Sequence, residues 1–168
     1  GNPDPFKNIT PTFIWVVWWV GMAFVSALVG NVWDLINPWK IIFNGLVALR
    51  GKPNGGWAYP ARLGYWPAVV LFWLFAWMEL ISENAEQPRM LALLIVVYSA
   101  VTWTGMRMFG GDAWLRRGEI FTVMFGLLAR FAFTNGGKGV WRIRLPAAGL
   151  LRQSPVPLSG VCFVLLLL

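Results

Sequence analysis

The feature that most constrains the fold is an apolar run from Phe13 to Trp33 that contains no charged residue. A helix needs about 20 mostly apolar residues to cross the hydrocarbon core of a bilayer, and this run meets that length. The chain as a whole is 58% hydrophobic and only 12% charged, which leaves too little polar surface for an ordinary water-facing exterior. The sequence therefore predicts an all-α protein of polytopic transmembrane helices.

Three full spans are predicted, at about residues 13–36, 66–81 and 90–106. The first ends at Asn37-Pro38, because proline cannot continue a helical hydrogen-bond ladder. The brief connection between the second and third spans predicts an antiparallel helical hairpin. All of residues 1–168 are read as one membrane-embedded helical segment.

Two further stretches are apolar but too short to cross. Residues 112–133 are helix-like, with an uncharged run only from Ile120 to Ala129. An amphipathic helix at the membrane interface is the favoured interpretation of this stretch, and a re-entrant or cofactor-lining helix is the alternative. Residues 161–168 are interpreted as the beginning of a further span, so the sequence is expected to be part of a longer chain.

The basic residues predict an orientation. The segments outside the predicted spans carry one, four, one and eight lysines and arginines in chain order. Because short cytoplasmic loops are enriched in these residues, the alternation places the amino end outside and residues 37–64 and 107–160 inside. The basic residues lie between long apolar runs, which indicates that they anchor the chain at the membrane surface. For this reason the net charge of +7 does not predict a nucleic-acid partner.

Aromatic residues are abundant, with 12 Trp and 12 Phe. The tryptophans near the two ends of the first span are interpreted as aromatic belts at the headgroup levels, with Trp33 and Trp39 at the second end. The tryptophans of the first two spans are also predicted to contact lipid or a partner subunit. These residues are Trp15, Trp18, Trp19, Trp73 and Trp77.

Three glutamates could lie on one helix face. Glu79, Glu83 and Glu86 are spaced i, i+4 and i+7, provided that the second helix continues past Ile81. Such a face could hold a hard cation or collect protons, although a solvated acidic loop is the favoured interpretation. These three glutamates are the only candidates for a metal site in the sequence, and they are weak ones. Glu79 is the strongest functional candidate of the three, because ionisable residues within a span usually face the interior of the bundle.

Two other charged groups are candidates. Asp34 could form a buried ion pair with Lys40 or Arg107 near the inner leaflet. Arg116 and Arg117, beside Glu119, could bind anionic lipid headgroups, with simple anchoring at the membrane surface as the alternative.

The composition excludes several kinds of chemistry. The chain has no histidine, so it cannot itself form a His-ligated haem, chlorophyll or zinc site, or a Ser-His-Asp triad. It contains no glycine-rich phosphate loop, and its one cysteine, Cys162, lies in an apolar run and is predicted to pack. No cofactor and no catalytic residue is predicted from this segment.

Four motifs resemble a known family. They are Pro11-Thr12-Phe13-Ile14-Trp15-Val16-Val17-Trp18-Trp19, Asn37-Pro38-Trp39, Tyr59-Pro60-Ala61-Arg62-Leu63-Gly64-Tyr65-Trp66-Pro67-Ala68 and Gly118-Glu119-Ile120-Phe121-Thr122-Val123-Met124-Phe125-Gly126. Together they resemble bacterial polytopic inner-membrane proteins, some of which are labelled fenitrothion hydrolase. The resemblance implies the bacterial cytoplasmic membrane and, by that label, hydrolysis of phosphotriesters. Such hydrolysis usually needs metal-bound water, and the resemblance carries over no catalytic residue.

Two classes of function follow as hypotheses. The favoured one is a non-catalytic accessory or scaffold subunit of a larger respiratory or photosynthetic membrane complex, with lipid and other membrane subunits as partners. The alternative is a membrane-bound hydrolase of the organophosphate type or a small-solute transporter.

Overall fold

The computed structural model describes residues 9–51, 56–81, 87–137, 140–151 and 156–168. Within these residues the chain is helical except for connecting loops and one hairpin of two short antiparallel strands, β1 (Thr134–Gly137) and β2 (Val140–Ile143). Helix α1 runs without a break through three segments: Ile9–Thr12, the π-helical Phe13–Val20, and Gly21–Leu28. The helices that follow are α2 (Trp33–Ile36), α3 (Pro38–Arg50), α4 (Trp66–Ile81), α5 (Pro88–Phe109), α6 (Gly111–Arg117), α7 (Ile120–Leu128) and α8 (Leu158–Leu167). Short 3-10 turns cover Ala61–Leu63 and Ala148–Leu150.

The all-α prediction is confirmed, and two helical segments of the described chain are long and apolar enough to cross a membrane. They are Ala61–Ile81, which includes α4, and Pro88–Phe109, which is α5. They overlap the spans predicted at about 66–81 and 90–106. The apolar segments Phe13–Leu28 and Leu158–Leu167 are shorter.

The predicted first span, residues 13–36, is not one helix. The helix ends at Leu28, and Gly30 has a φ of 140°, a backbone conformation that residues with a Cβ rarely adopt. A new helix, α2, then begins at Trp33 and runs back along the bundle. Hydropathy did not reveal this break, because no charged residue lies between Phe13 and Trp33.

Helices α2 and α3 form a short hairpin inside the bundle. At the start of α2, the Trp33 ring lies 5.5 Å from that of Trp18, halfway along α1. At the start of α3, the indole nitrogen of Trp39 donates to the Ser99 hydroxyl, near the middle of α5, at 2.8 Å. Further along α3, Phe43 lies beside Gly111, which follows the end of α5. The chain therefore runs from one end of the bundle to its middle in α2 and returns towards the same end in α3.

Helices α6 and α7 form a second hairpin of the same kind. Helix α6 retraces α5, because Trp114 packs on Gly105 and Glu119 reaches Tyr98, halfway along α5. Helix α7 then returns, and beyond it the Phe133 amide donates to the Leu28 carbonyl at 3.1 Å. The predicted single helix over residues 112–133 is thus two helices, broken at Gly118-Glu119.

The core is aromatic and lies where these hairpins meet. The Phe121 ring, at the start of α7, is within 6.1 Å, centroid to centroid, of seven other rings. They belong to Trp18, Trp19, Trp33, Trp39, Phe75, Tyr98 and Phe125. Trp33 is 1% and Trp39 is 9% exposed. The predicted belt position of these two tryptophans is therefore wrong: the chain turns back at Gly30 and carries them into the core.

Candidate functional site at the meeting point of two helix breaks

In each of the two helix hairpins, α2–α3 and α6–α7, the second helix begins with a polar capping residue. Asn37 caps α3, accepting a hydrogen bond from the Lys40 amide at 3.1 Å, and Pro38 occupies the first helical position, where no amide hydrogen is needed. Glu119 caps α7, accepting from the amides of Phe121 at 3.0 Å and Thr122 at 2.7 Å. Both caps satisfy amide groups that have no partner within their own helix.

The two caps are joined through a buried carboxylate. Glu119 has no solvent exposure. Its oxygens also accept from the hydroxyls of Tyr98 and Thr122 and from the Asn37 side-chain nitrogen, the last at 3.3 Å. The same nitrogen of Asn37 lies 3.1 Å from the Thr122 hydroxyl. We call Asn37, Tyr98, Glu119 and Thr122 the Glu119 network; every partner of the carboxyl group in it is a donor.

No basic side chain pairs with Glu119 anywhere in the described part of the chain. Removing a carboxylate from water costs several kcal/mol unless other groups compensate. Here the compensation comes from five hydrogen bonds and from the positive end of the α7 dipole. The carboxyl group therefore links the two hairpins by hydrogen bonds.

A cleft of about 840 Å³ lies beside the network. Thr122 lines it, and the hydroxyl of Thr122 donates to Glu119, so one side chain separates the cleft from the carboxylate. Its walls come from α2, α3, α6, α7, α8 and the loops between them. The other lining residues are Asn31, Asp34, Lys40, Tyr65, Asp112, Leu115, Arg116, Val123, Gly126, Leu127, Arg130, Leu150, Val156, Pro157, Gly160, Phe163 and Val164.

The opposite end of α7 is held by a cation. The Arg144 guanidinium donates to the carbonyl of Ala132 at 3.0 Å and to that of Ala129, which follow the last turn of α7. A Cβ at Gly149 would lie 2.7 Å from an Arg144 nitrogen and 2.6 Å from the Arg130 carbonyl, so glycine is needed for this approach. Helix α7 thus carries a carboxylate at its amino end and a guanidinium beside its carboxyl end, in agreement with its dipole.

Replacing Arg144 by alanine is expected to lower the free energy of unfolding by about 2 kcal/mol, because charge-assisted hydrogen bonds to two carbonyls are lost. Arg142 on β2 is exposed, and Arg142→Ala is the matched control, with an expected change within about 0.5 kcal/mol. Denaturant unfolding in detergent micelles, followed by tryptophan fluorescence, measures both. Equal losses in the two variants would contradict the role assigned to Arg144.

The predicted glutamate cluster is only partly within the described residues. Glu79 lies on α4, partly exposed, and has no hydrogen bond to any described residue. Glu83 and Glu86 lie outside the described residues. Within the described ranges, no group of three His, Cys, Asp or Glu side chains could hold a metal ion.

The predicted ion pair forms with one of its two proposed partners. The Asp34 carboxylate and the Lys40 ammonium are 2.6 Å apart, at the break between α2 and α3. The pair is not buried, because the two side chains are 53% and 28% exposed. Arg107 is exposed and makes no ion pair with Asp34, because the short turn at Asn37 brings Lys40 back to Asp34.

The two arginines predicted to bind lipid headgroups are exposed but occupy different surroundings. Arg116 lines the cleft. The Arg117 guanidinium lies 5.5 Å from the centre of the Tyr59 ring. Burial raises the pKa of the Tyr59 phenol, an effect that the charge of Arg117 partly offsets. Arg116 and Arg117 are consecutive on α6, so their side chains leave the helix in different directions.

The tryptophans predicted to contact lipid or partners fall into two groups. Trp73 and Trp77 are 54% and 48% exposed on α4, where a partner or lipid can reach them. Trp18 and Trp19 pack against the buried core, and the Trp15 ring lies 5.4 Å from that of Phe75 on α4. These three tryptophans contribute internal packing, because α1 lies against α4 and α7.

The Glu119 network was not among the residues predicted from sequence. Two signals in the sequence point to it. Asn37-Pro38 has a favoured capping residue followed by proline, which is typical of a helix start as well as of a helix end. Glu119 interrupts a helical pattern immediately before the apolar run of α7, but its basic neighbours Arg116 and Arg117 made it resemble a surface residue.

Comparison with known proteins gives no match: no protein-family model, curated protein or solved structure is similar to this chain. The resemblance to proteins labelled fenitrothion hydrolase therefore stays a prediction.

Proposed function

We propose that this chain is the solute-handling part of a membrane transporter for small solutes. The observation that carries the proposal is the Glu119 carboxyl group, where the two helix hairpins meet. It is fully buried, has no cationic partner among the described residues, and is separated by one hydroxyl group from an open cleft. Ionisable groups inside membrane bundles commonly mark the path of a solute or an ion. The hydrolase alternative rests on the resemblance alone.

The position of the network along the helices supports this assignment. With α4 and α5 taken as membrane spans, Tyr98 lies near the midplane of the bilayer, and so does Glu119, which it contacts. The α2–α3 and α6–α7 hairpins are then re-entrant segments with α3 and α7 as half-helices. Non-helical backbone at this depth is tolerated where it is buried in protein or lines a cavity, and discontinuous helices of this kind form the solute sites of many transporters. The distribution of basic residues favours a cytoplasmic position for the end of the bundle at which α5 ends.

Uptake into proteoliposomes tests the proposal. Vesicles containing the protein would be given a mixed panel of small carboxylates, phosphate esters, amines and neutral sugars, and the solutes retained would be identified by mass spectrometry. At least one class is expected to enter above the level of protein-free vesicles. Gly126→Leu is expected to abolish that uptake, because Gly126 lines the cleft and a leucine there occupies its space.

Gly45→Leu is the matched control for uptake, since Gly45 lies on α3 with no atom within 4 Å of an added Cβ and outside the cleft lining. Uptake is expected to survive this substitution. A folded wild-type protein that takes up no class of solute would contradict the proposed function.

Gly126→Ala is expected to stabilise the protein by about 0.5–1 kcal/mol. Glycine within a helix costs roughly this amount relative to alanine, and the atom nearest to an added Cβ is the Asn31 side-chain nitrogen, at 4.0 Å. Thermal or denaturant unfolding in detergent checks the sign. A loss of stability would mean that α7 has no open space beside Gly126.

A second candidate is the accessory subunit, favoured by the exposed aromatic face of α4. Trp66, Trp73 and Trp77 lie on this face and are between 40% and 54% exposed. Such rings offer a large and rigid contact area to lipid or to a neighbouring subunit. Gentle extraction from the source membrane followed by native electrophoresis tests this candidate: co-migration with a larger complex in fixed ratio supports it, and migration alone contradicts it.

A further inference from the structure

The cleft brings together cations from three separate elements. Lys40 belongs to the first turn of α3, Arg116 to α6, and Arg130 follows α7. Asp34 and Asp112 also line the cleft. Because Asp34 is already paired with Lys40 at 2.6 Å, Asp112 is the one other acidic residue of the cleft lining against two arginines, and the lining carries an excess of positive charge.

Among the described residues, Lys40 has acceptors for two of its three ammonium hydrogens. Its ammonium group donates to the Asp34 carboxylate at 2.6 Å and to the Asp34 carbonyl at 3.0 Å. An ammonium has three hydrogens, so one remains for a ligand. Guanidinium groups bind carboxylate and phosphate oxygens in pairs, which makes Arg116 and Arg130 suitable partners for an anionic head.

Apolar side chains line much of the rest of the cleft. They come from α6, α7, α8 and the approach to α8, and they are Leu115, Val123, Leu127, Val156, Phe163 and Val164. A cleft of about 840 Å³ is within the range of sites for small organic ligands. A ligand that fits both kinds of lining needs a charged head and a hydrocarbon part.

We propose that the cleft binds an amphiphilic anion, whose carboxylate or phosphate head is held by Arg116, Arg130 and the free donor of Lys40 and whose hydrocarbon part lies along the apolar wall. This inference rests on the proposed solute site and names its substrate class. The same head chemistry is present in an anionic phospholipid and in a free fatty acid or alkyl phosphate.

Binding to the whole purified chain in a neutral detergent tests the inference, with dodecyl phosphate and laurate as probes and isothermal titration as readout. Both probes are expected to bind. Inorganic phosphate, which lacks the chain, and dodecyltrimethylammonium, which has the opposite charge, are each expected to bind at least about tenfold more weakly. Equal binding of the cationic amphiphile would overturn the proposal.

Variants locate the binding in the cleft. Arg116→Gln and Arg130→Gln are each expected to weaken dodecyl phosphate binding by about tenfold or more, because each removes a charge-assisted contact. Arg117→Gln is the matched control, since Arg117 lies over the Tyr59 ring and outside the cleft lining, and its affinity should stay within about twofold. An equal loss in Arg117→Gln would indicate adsorption to a charged surface and would overturn the proposal.

Further measurements distinguish a phospholipid from a free anion as the ligand, and this inference from the proposed transport function. Native mass spectrometry of protein from phosphatidylglycerol nanodiscs, with displacement of a retained lipid by dodecyl phosphate, would assign the head to a phospholipid. Binding of laurate that phosphatidylglycerol does not reduce would assign it to a free anion. Uptake of amines or sugars that Gly126→Leu blocks, without binding of either anionic probe, would overturn this inference while the proposed transport function stands.

Discussion

Replacing Glu119 by alanine is expected to lower the free energy of unfolding by about 3–5 kcal/mol, more than any of the other proposed substitutions. The loss has two parts. Five hydrogen bonds disappear. The hydroxyls of Tyr98 and Thr122 and two amides of α7 lose their acceptor at a buried carboxyl group, while the side-chain nitrogen of Asn37 keeps the Thr122 hydroxyl as its acceptor. Denaturant unfolding in detergent, followed by tryptophan fluorescence, measures the difference.

Glu79→Ala is the matched control for this prediction. Glu79 lies on α4, partly exposed, with no hydrogen bond to any described residue, and its replacement is expected to change stability by no more than about 0.5 kcal/mol. The two glutamates would then differ severalfold in effect. Similar small losses for both would show that Glu119 is solvated and does not join the two hairpins.

The second large effect is expected at Gly105. A Cβ at this position of α5 would lie 2.3 Å from two ring atoms of Trp114, closer than any real contact of this kind. Gly105→Ala is therefore expected to push α6 away from α5 and to cost about 2–3 kcal/mol, the upper part of the range for an overpacked core. The same unfolding measurement applies.

Two comparisons test whether the stability lost in Gly105→Ala comes from the clash with the Trp114 ring. Gly45→Ala, on an open stretch of α3, is expected to be neutral or slightly stabilising. In a Trp114→Leu background, Gly105→Ala should cost much less than in the wild type, because the clashing ring is gone. Full additivity of the two substitutions would contradict the packing of α6 on α5.

The helices that sequence predicted well are those fixed by local composition. The segment Ala61–Ile81, which includes α4, and helix α5 are largely apolar and of sufficient length, so hydropathy alone indicates them. The π-helical stretch of α1 and the return at Gly30 leave no trace in hydropathy, since a break in the backbone does not change how apolar a residue is. The predicted position of Trp33 and Trp39 failed for this reason.

The candidate site depends on contacts between residues that are distant in sequence. Asn37 and Glu119 are separated by 82 residues, and Tyr98 and Glu119 by 21. The charge of Glu119 was visible in the sequence, but its burial was not, because the neighbouring arginines are exposed. The pairing of Asp34 with Lys40 was among the predictions, since two residues only six positions apart, one on each side of a proline turn, can meet locally.

A double-mutant cycle between Tyr98→Phe and Glu119→Gln tests most directly whether α6 and α7 meet at the middle of α5. The two single variants and the double variant would be unfolded by denaturant in detergent, and their free energies compared. A contact between the phenol and the carboxylate predicts a coupling energy of at least about 1 kcal/mol. Additivity within about 0.5 kcal/mol would place Glu119 away from Tyr98 and would contradict the contact of the α6–α7 hairpin with the middle of α5.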